Sequence, residues 1–370
     1  MSGTSLDGVD GVLAEFQTES NPAAIRTVAC AHRDFSPELR ATLLALQSSG
    51  TDEIHREAIA ANQLTQCYAA CVASLLDIAG VTPEQVCAIG AHGQTIRHRP
   101  ELGYTRQLNN GALLAELTGI DIVSDFRSRD IAAGGQGAPL VPLFHQQIFG
   151  TENHQRMVVN IGGISNVSVI PPRGTPAVAA TIGFDTGPGN VLLDAWIARH
   201  LGHAYDAGGQ WAATGVVHAA LLQQLLCEPF FAAAPPKSTG RDLFNPSWLA
   251  QRLVGFGDIS AVDVQATLTE LTASTIAEAV RHTVSAADTL YVCGGGAFNL
   301  FLMQRIEAAL AASGSRVSVL PTAALGVPPD QVEALAFAWL AQRFVQRKPG
   351  NSSAITGAAG ERILGALYPR

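Results

Sequence analysis

Met157-Val-Val-Asn-Ile-Gly-Gly-Ile-Ser-Asn-Val-Ser-Val-Ile170 decides the fold class. Two apolar runs rich in valine and isoleucine flank a Gly-Gly pair, which reads as a strand, a tight turn and a returning strand. A similar arrangement opens the chain, where the loop Gly3-Thr-Ser-Leu-Asp-Gly8 runs into the alternating stretch Val9-Asp-Gly-Val-Leu-Ala-Glu-Phe16. Between them, Ile54, Ala58, Ala61, Leu64, Tyr68, Val72 and Leu75 recur at spacings of three and four, which predicts an amphipathic helix over about 53–79. Val86-Cys-Ala-Ile-Gly90 and Asp121-Ile-Val-Ser124 read as short buried strands. Polar residues follow each of them, and open α/β sheets keep their sites at such strand ends. Further on, a helix is predicted over Gln265 to His282, a strand over Thr289 to Cys293, and a helix over Asn299 to Ala312. The alternation of strand and helix is that of an α/β protein.

A chain of 370 residues exceeds what one hydrophobic core usually organises, so two domains or two lobes are expected. The Gly/Pro-rich stretch from Ala132 to Pro142 is a candidate crossing between them. Hydrophobic residues make up 47% of the chain and charged ones 15%, yet no apolar run is long enough for a bilayer and no signal-peptide pattern is found. The expectation is a cytoplasmic protein without membrane contact. The net charge of −8 combines scattered arginines with only two lysines, Lys237 and Lys348, which argues against a nucleic-acid partner. The six cysteines show no CxxC pair and read as reduced, mostly buried thiols.

The scarcity of lysine shapes the reading of the glycines. A nucleotide-binding chain with no GxxxxGK[ST] motif must hold phosphates by backbone N–H groups, hydroxyls and a divalent ion. Three glycine turns stand at strand edges: Gly3 to Gly8, Asn160-Ile-Gly-Gly163 and Gly294-Gly-Gly296. Each alone could be a tight turn that needs positive φ; together they point to phosphate binding. Gly294-Gly-Gly-Ala-Phe-Asn299 is not a dinucleotide fingerprint, because its sixth position is asparagine and no acidic residue follows about 20 positions on. In Gly183-Phe-Asp-Thr-Gly-Pro-Gly-Asn190, Asp185 ends an apolar stretch ahead of a helix from Val191 to His200. It reads either as an ionised proton acceptor or as a helix-capping or turn aspartate.

Six stretches in this order carry a resemblance: Met1-Ser-Gly-Thr-Ser-Leu-Asp-Gly8, Ala91-His-Gly-Gln-Thr-Ile-Arg-His98, Gly134-Gly-Gln-Gly-Ala-Pro-Leu-Val-Pro142, Asn160-Ile-Gly-Gly-Ile-Ser-Asn166, Phe184-Asp-Thr-Gly-Pro-Gly-Asn190 and Cys293-Gly-Gly-Gly-Ala-Phe-Asn299. With the terminal Leu364-Gly-Ala-Leu-Tyr-Pro369, the chain resembles the anhydro-N-acetylmuramic acid kinases along essentially its whole length. The resemblance implies two actin-like, ribonuclease H-like lobes with a central nucleotide and sugar cleft. It implies an N-terminal lobe of residues 1–130 completed by about 345–370, and a second lobe of 131–344. It also implies ATP and Mg²⁺ as cofactors, an anhydrosugar substrate and a homodimer. By the same resemblance Asp185 is the catalytic base, and Gly3, Thr4, Ser5, Leu6, Asp7 and Gly8 meet the ATP phosphates with Asn160, Gly162, Gly163, Gly187 and Gly189. Gly294, Gly295, Gly296 and Asn299 would line the adenosine pocket, and Thr95, Arg127 or Arg129, and Glu333 the sugar site. His92 receives no role.

The implied reaction opens the 1,6-anhydro bridge of the sugar with water and phosphorylates O6 from ATP, as a step in peptidoglycan recycling. Water needs a carboxylate to take its proton, and an arginine fork suits the lactyl carboxylate of muramic acid. A kinase for another anhydrosugar such as levoglucosan, and a non-enzymatic nucleotide switch, share the same architecture. Family members carry a short apolar strand ahead of Met-Ser-Gly-Thr-Ser, so upstream codons are expected to raise stability and ATP affinity.

Overall fold

A computed structural model of the chain describes residues 1–3, 6–16, 25–174, 181–283, 288–312 and 314–370. The chain divides into two compact units, residues 1–148 with 331–370, and residues 149–330. In chain order the strands are β1 (Gly8–Phe16), β2 (Ile25–Asp34), β3 (Ile89–Gly90), β4 (Gln94–Arg99), β5 (Tyr104–Leu108), β6 (Ile122–Ser124), β7 (Arg156–Ile161), β8 (Ile164–Ile170), β9 (Ile182–Pro188), β10 (Thr289–Cys293), β11 (Ser318–Pro321) and β12 (Ala366–Tyr368).

The second unit is built on one five-stranded sheet of order β11-β10-β7-β8-β9. β11, β10 and β7 run parallel, and β7, β8 and β9 form an antiparallel meander. The Gly162-Gly163 pair closes β7 onto β8 with Ile161 opposite Ser165, the hairpin expected from the sequence. Alternate residues Met157, Val159 and Ile161 pack with Leu290 and Val292 against helices Ala261–Thr283 and Leu300–Ala312. Burying each such aliphatic side chain contributes about 1.5–3 kcal/mol. A second cluster gathers Ile164 with Leu192, Trp196, Leu221, Phe244 and Leu271.

In the first unit β1 and β2 form an antiparallel hairpin, and β3, β6 and β12 a small sheet in the order β12-β6-β3. Helix Glu53–Ala79 packs on the hairpin through Leu64, Tyr68 and Cys71 and stops at the left-handed Gly80. Met1 and Asp10 exchange main-chain hydrogen bonds, Asp10 N–H to Met1 at 2.9 Å and the Met1 ammonium to Asp10 at 2.7 Å. A cavity of about 450 Å³ follows that edge of β1, lined among others by Leu75, Ile89, Ala338 and Ala341.

The unit boundaries fall at 148/149 and 330/331 instead of 130/131 and 344/345. Helix Val332–Val345 packs on β1 and β3, so it belongs to the first unit. The Gly/Pro-rich stretch 132–142 is no crossing. It is tied into the first unit by Gln136 N–H to Thr356 O (2.7 Å) and Ala359 N–H to Ala133 O (2.8 Å). Its anchor is Asp130, which is fully buried and accepts from Gly137 N–H at 2.7 Å and Thr356 Oγ1 at 2.7 Å, and also from Asn351 Nδ2. Glycine and proline mark this stretch as irregular, but long-range hydrogen bonds decide which unit owns it. The cysteines also differ from expectation, since only Cys71 and Cys293 are buried and Cys30, Cys87 and Cys227 are exposed.

Two predictions follow from this packing. Replacing Asp130 with alanine strands the buried Gly137 N–H and removes the stronger partner of Thr356 Oγ1 and Asn351 Nδ2, so Asp130→Ala should lower stability by about 3 kcal/mol in urea unfolding. Burial, with the charge of Arg127 adding to it, pushes the His98 imidazole down from 6.5 to about 4. The unfolded chain thus takes up this proton at a higher pH than the folded one, and stability intact above 6.5 is lost as pH falls towards 4. His98→Gln should therefore remove about 2 kcal/mol of the wild-type loss between about pH 7 and 5.

Candidate active site

In the second unit the glycine turns converge. The chain leaving β9 is laid across the β7–β8 turn: Gly163 O accepts from Gly189 N–H at 2.9 Å and Val191 N–H at 3.1 Å, and Gly162 O accepts from Asn190 N–H at 2.9 Å. A Cβ on Gly189 would stand 2.4 Å from the Gly162 oxygen, so no side chain fits there. β10 exits beside the same turn into Gly294, whose φ is +77° and whose Cβ would stand 2.4 Å from Asn160 Oδ1. Gly296 lies against Ile161, and Gly295 faces the Asn190 amide. Asn160, Gly162, Gly163, Gly189 and Gly294 to Gly296 are thus brought together, while Gly187 lies one step back on β9 against Phe231. The Asn160 side chain is buried, and its Oδ1 has no hydrogen-bond partner among the described residues. Helix Val191–Leu201 starts at this cluster, and its N-terminal dipole favours a negative group there. Asn299 sits apart from these turns in role: its Oδ1 accepts from Leu302 N–H at 2.9 Å and caps the following helix.

Asp185 lies within β9, opposite Asn166 of β8 at a register shift, and is 5% exposed. The helix that follows is capped at Asn190, so the capping reading of Asp185 falls away. Its Oδ2 accepts from Thr239 N–H at 2.9 Å, and its own N–H donates to Lys237 O at 3.1 Å. Lys237 Nζ donates to Phe230 O at 3.1 Å and Phe231 O at 3.0 Å and stands 4.7 Å from the Phe230 ring centroid. Burial lowers the pKa of this ammonium, and the nearby Asp185 charge pulls the other way. The segment from Lys237 to Thr239 is a part of the site that sequence reasoning missed. One of only two lysines, set in Pro235-Pro-Lys-Ser-Thr-Gly240, was the available signal.

The remaining candidates lie in the first unit. Thr4 and Ser5 fall outside the described residues. Around them Gly3 O accepts from Gln94 Nε2 at 3.0 Å and Leu6 is buried with φ of 57°. Asp7 is exposed; its Oδ1 accepts from Gly8 N–H at 2.9 Å, and its carbonyl accepts from Phe35 N–H at 2.9 Å. Thr95 is half-buried on β4, where its Oγ1 accepts from Gln107 Nε2 at 3.1 Å. Glu333 is half-buried in the first turn of helix Val332–Val345. The two arginines differ. Arg129 is exposed on the short helix Ser128–Ala132, whereas Arg127 donates to Gly137 O at 2.6 Å and to His92 Nε2 at 3.1 Å. Arg127 is the braced one.

No helix among the described residues is long and apolar enough to cross a membrane. The sequence profile of anhydro-N-acetylmuramic acid kinase matches residues 1–370. The chain is 57% identical over 370 residues to the anhydro-N-acetylmuramic acid kinase of Burkholderia ambifaria, covering 100% of this chain and 95% of that one. To the anhydro-N-acetylmuramic acid kinase of Burkholderia pseudomallei it is 56% identical over 376 residues, covering 100% and 96%. Among solved structures, the ROK hexokinase of Thermus thermophilus aligns with a TM-score of 0.33 at 15% identity, covering 91% of this chain and 99% of that one, too remote to bear on function. The chain is an enzyme that belongs to the anhydro-N-acetylmuramic acid kinase family.

Proposed function

We propose that this enzyme hydrolytically opens the 1,6-anhydro ring of 1,6-anhydro-N-acetylmuramic acid and transfers the γ-phosphoryl group of ATP to O6. The products are N-acetylmuramic acid 6-phosphate and ADP, and the reaction serves cytoplasmic peptidoglycan recycling. The observation that carries this reading is the buried carboxylate of Asp185, oriented by the Thr239 N–H and faced by the charge of Lys237. One Asp185 oxygen is engaged by the Thr239 N–H, and orientation of this kind suits a group that must hold water in one direction.

In the proposed step, Asp185 takes a proton from water as the water oxygen bonds to C1. The C1–O6 bond breaks, and O6 bonds to the γ-phosphorus as the bridging bond to ADP breaks. Trapping of O6 by phosphorus replaces the protonation that a second carboxylic acid would supply in a glycosidase. Gly189 and Gly294 let the turns pack on one another, and the exposed Gly295, whose Cβ would meet only the Asn190 amide at 3.7 Å, leaves backbone open to the close approach of a nucleotide. Among the described residues no cluster of three His, Cys, Asp or Glu side chains is poised for a metal. Mg²⁺ accompanies ATP and draws most of its ligands from phosphate and water. The ion would neutralise charge on the transferring phosphoryl group. Arg127, braced in place, is the better candidate of the two arginines for the lactyl carboxylate.

ADP release coupled to 1,6-anhydro-N-acetylmuramic acid tests the reading. Asp185→Asn keeps an oxygen for the Thr239 N–H but loses the base, so kcat should fall about 10²- to 10⁴-fold with ATP binding retained. Full activity of that variant, or ADP release indifferent to sugar, would overturn the assignment, the latter in favour of a nucleotide switch. Equal turnover of levoglucosan would overturn the substrate.

A further inference from the structure

His92 joins two parts of the first unit that the proposed reaction needs. The ring is 5% exposed and packs on Phe337 at a centroid distance of 4.5 Å. Its Nδ1 lies 3.0 Å from Ser2 O, at the root of the N-terminal loop. Its Nε2 lies 3.1 Å from Arg127 Nη2 and 3.4 Å from Arg127 Nε. A carbonyl can only accept and a guanidinium can only donate, so the ring carries its hydrogen on Nδ1 and offers the lone pair of Nε2. Burial and the Arg127 charge both hold the imidazole well below its ordinary pKa, in keeping with a neutral ring.

Each neighbour of His92 is itself fixed. Ser2 Oγ donates to Gln94 Oε1, and Gln94 Nε2 donates to Gly3 O at 3.0 Å, so the loop root is held from a second side. Arg127 Nη1 donates to Gly137 O at 2.6 Å, and Gly137 N–H donates to the buried Asp130 at 2.7 Å. The result is a continuous hydrogen-bonded line from Asp130 through Gly137, Arg127 and His92 to the Ser2–Gly3 backbone.

We infer that His92 is a positioning residue that fixes Arg127 relative to the nucleotide loop, so that the guanidinium meets the sugar carboxylate in the orientation phosphoryl transfer requires. This inference rests on Arg127 reading the lactyl carboxylate under the proposed function. Two substitutions each keep half of the ring's chemistry. Asparagine can place an N–H near the position of Nδ1 and lacks the acceptor for Arg127. Glutamine can place an oxygen near Nε2 and lacks the donor to Ser2.

The experiment measures KM for both substrates in wild type, His92→Asn, His92→Gln and Arg127→Ala. The sugars are 1,6-anhydro-N-acetylmuramic acid and 1,6-anhydro-N-acetylglucosamine, which has no lactyl group. His92→Asn is expected to raise KM about 10-fold for the muramic sugar only, with KM for ATP within about twofold, the scale of one charged hydrogen bond. His92→Gln is expected to raise KM for ATP and to preserve the preference for the carboxylate-bearing sugar. Equal losses on both sugars, or no change in either KM, would mean that His92 only fills space. A ligand-free readout separates the inference from the functional reading. The ¹⁵N shifts of His92 should show the Nδ1–H tautomer with no titration between about pH 8 and 5, and Arg127→Ala should let the ring titrate higher. Normal titration in the wild type overturns the link itself. An intact link with Arg127→Ala blind to the lactyl group overturns the reading of the arginine instead, and the sugar role of His92 with it.

Discussion

The Gly162 carbonyl oxygen occupies the space in which any other residue at position 189 would place its side chain. That contact lets the exit of β9 lie flat on the β7–β8 turn, with three main-chain hydrogen bonds in place of side-chain packing. The arrangement of β10 depends on it in turn, because Gly294 enters the same turn beside Asn160 and Gly296 beside Ile161. Three chain segments far apart in sequence therefore end at one place where backbone is bare of Cβ atoms. A region without side chains is weakly held by hydrophobic packing. Here the sheet behind it compensates, since Met157, Val159, Leu290 and Val292 are fully buried against two long helices.

The first unit reaches its fixed parts by another route. Its strands are divided among small sheets of two or three strands, and polar contacts do more of the locating. Asp130 binds the 132–142 stretch and the C-terminal segment at once, so residues more than 200 positions apart share one carboxylate. Buried polar networks of this kind carry little net stability when complete and large penalties when one member is lost. Their effect is to specify one arrangement of loop, arginine and histidine among the many that the same apolar core would tolerate.

The regular parts of this fold were legible because periodicity reports burial directly. The helix over 53–79, the hairpin about Gly162-Gly163 and the strand Thr289–Cys293 all formed where alternation and three-four spacing placed them. Asp185 was legible as an acid worth attention, but its setting was not. Gly187, Pro188 and Gly189 suggested a turn after Asp185, whereas the strand runs on to Pro188. β9 is the edge of its sheet, where a proline costs no ladder hydrogen bond. The Thr239 support of Asp185 and the bonds of Asp130 to Asn351 and Thr356 are tertiary contacts across 54, 221 and 226 positions, and no local pattern encodes them. Composition likewise marked 132–142 as irregular without saying which unit it belonged to.

The paucity of lysine gives the site a chemical address. Among side chains, amine-directed reagents and acyl donors can meet only Lys348 and Lys237. Of the two lysines, Lys237 carries the ammonium whose pKa burial lowers, which enlarges its fraction of reactive free amine. It also backs the strand that bears the acid, through its own carbonyl on the Asp185 N–H. Acylation there would erase the positive charge near Asp185, break the donation to Phe230 O and Phe231 O and crowd the Phe230 ring, so a single covalent event on one side chain would reach the support of the acid.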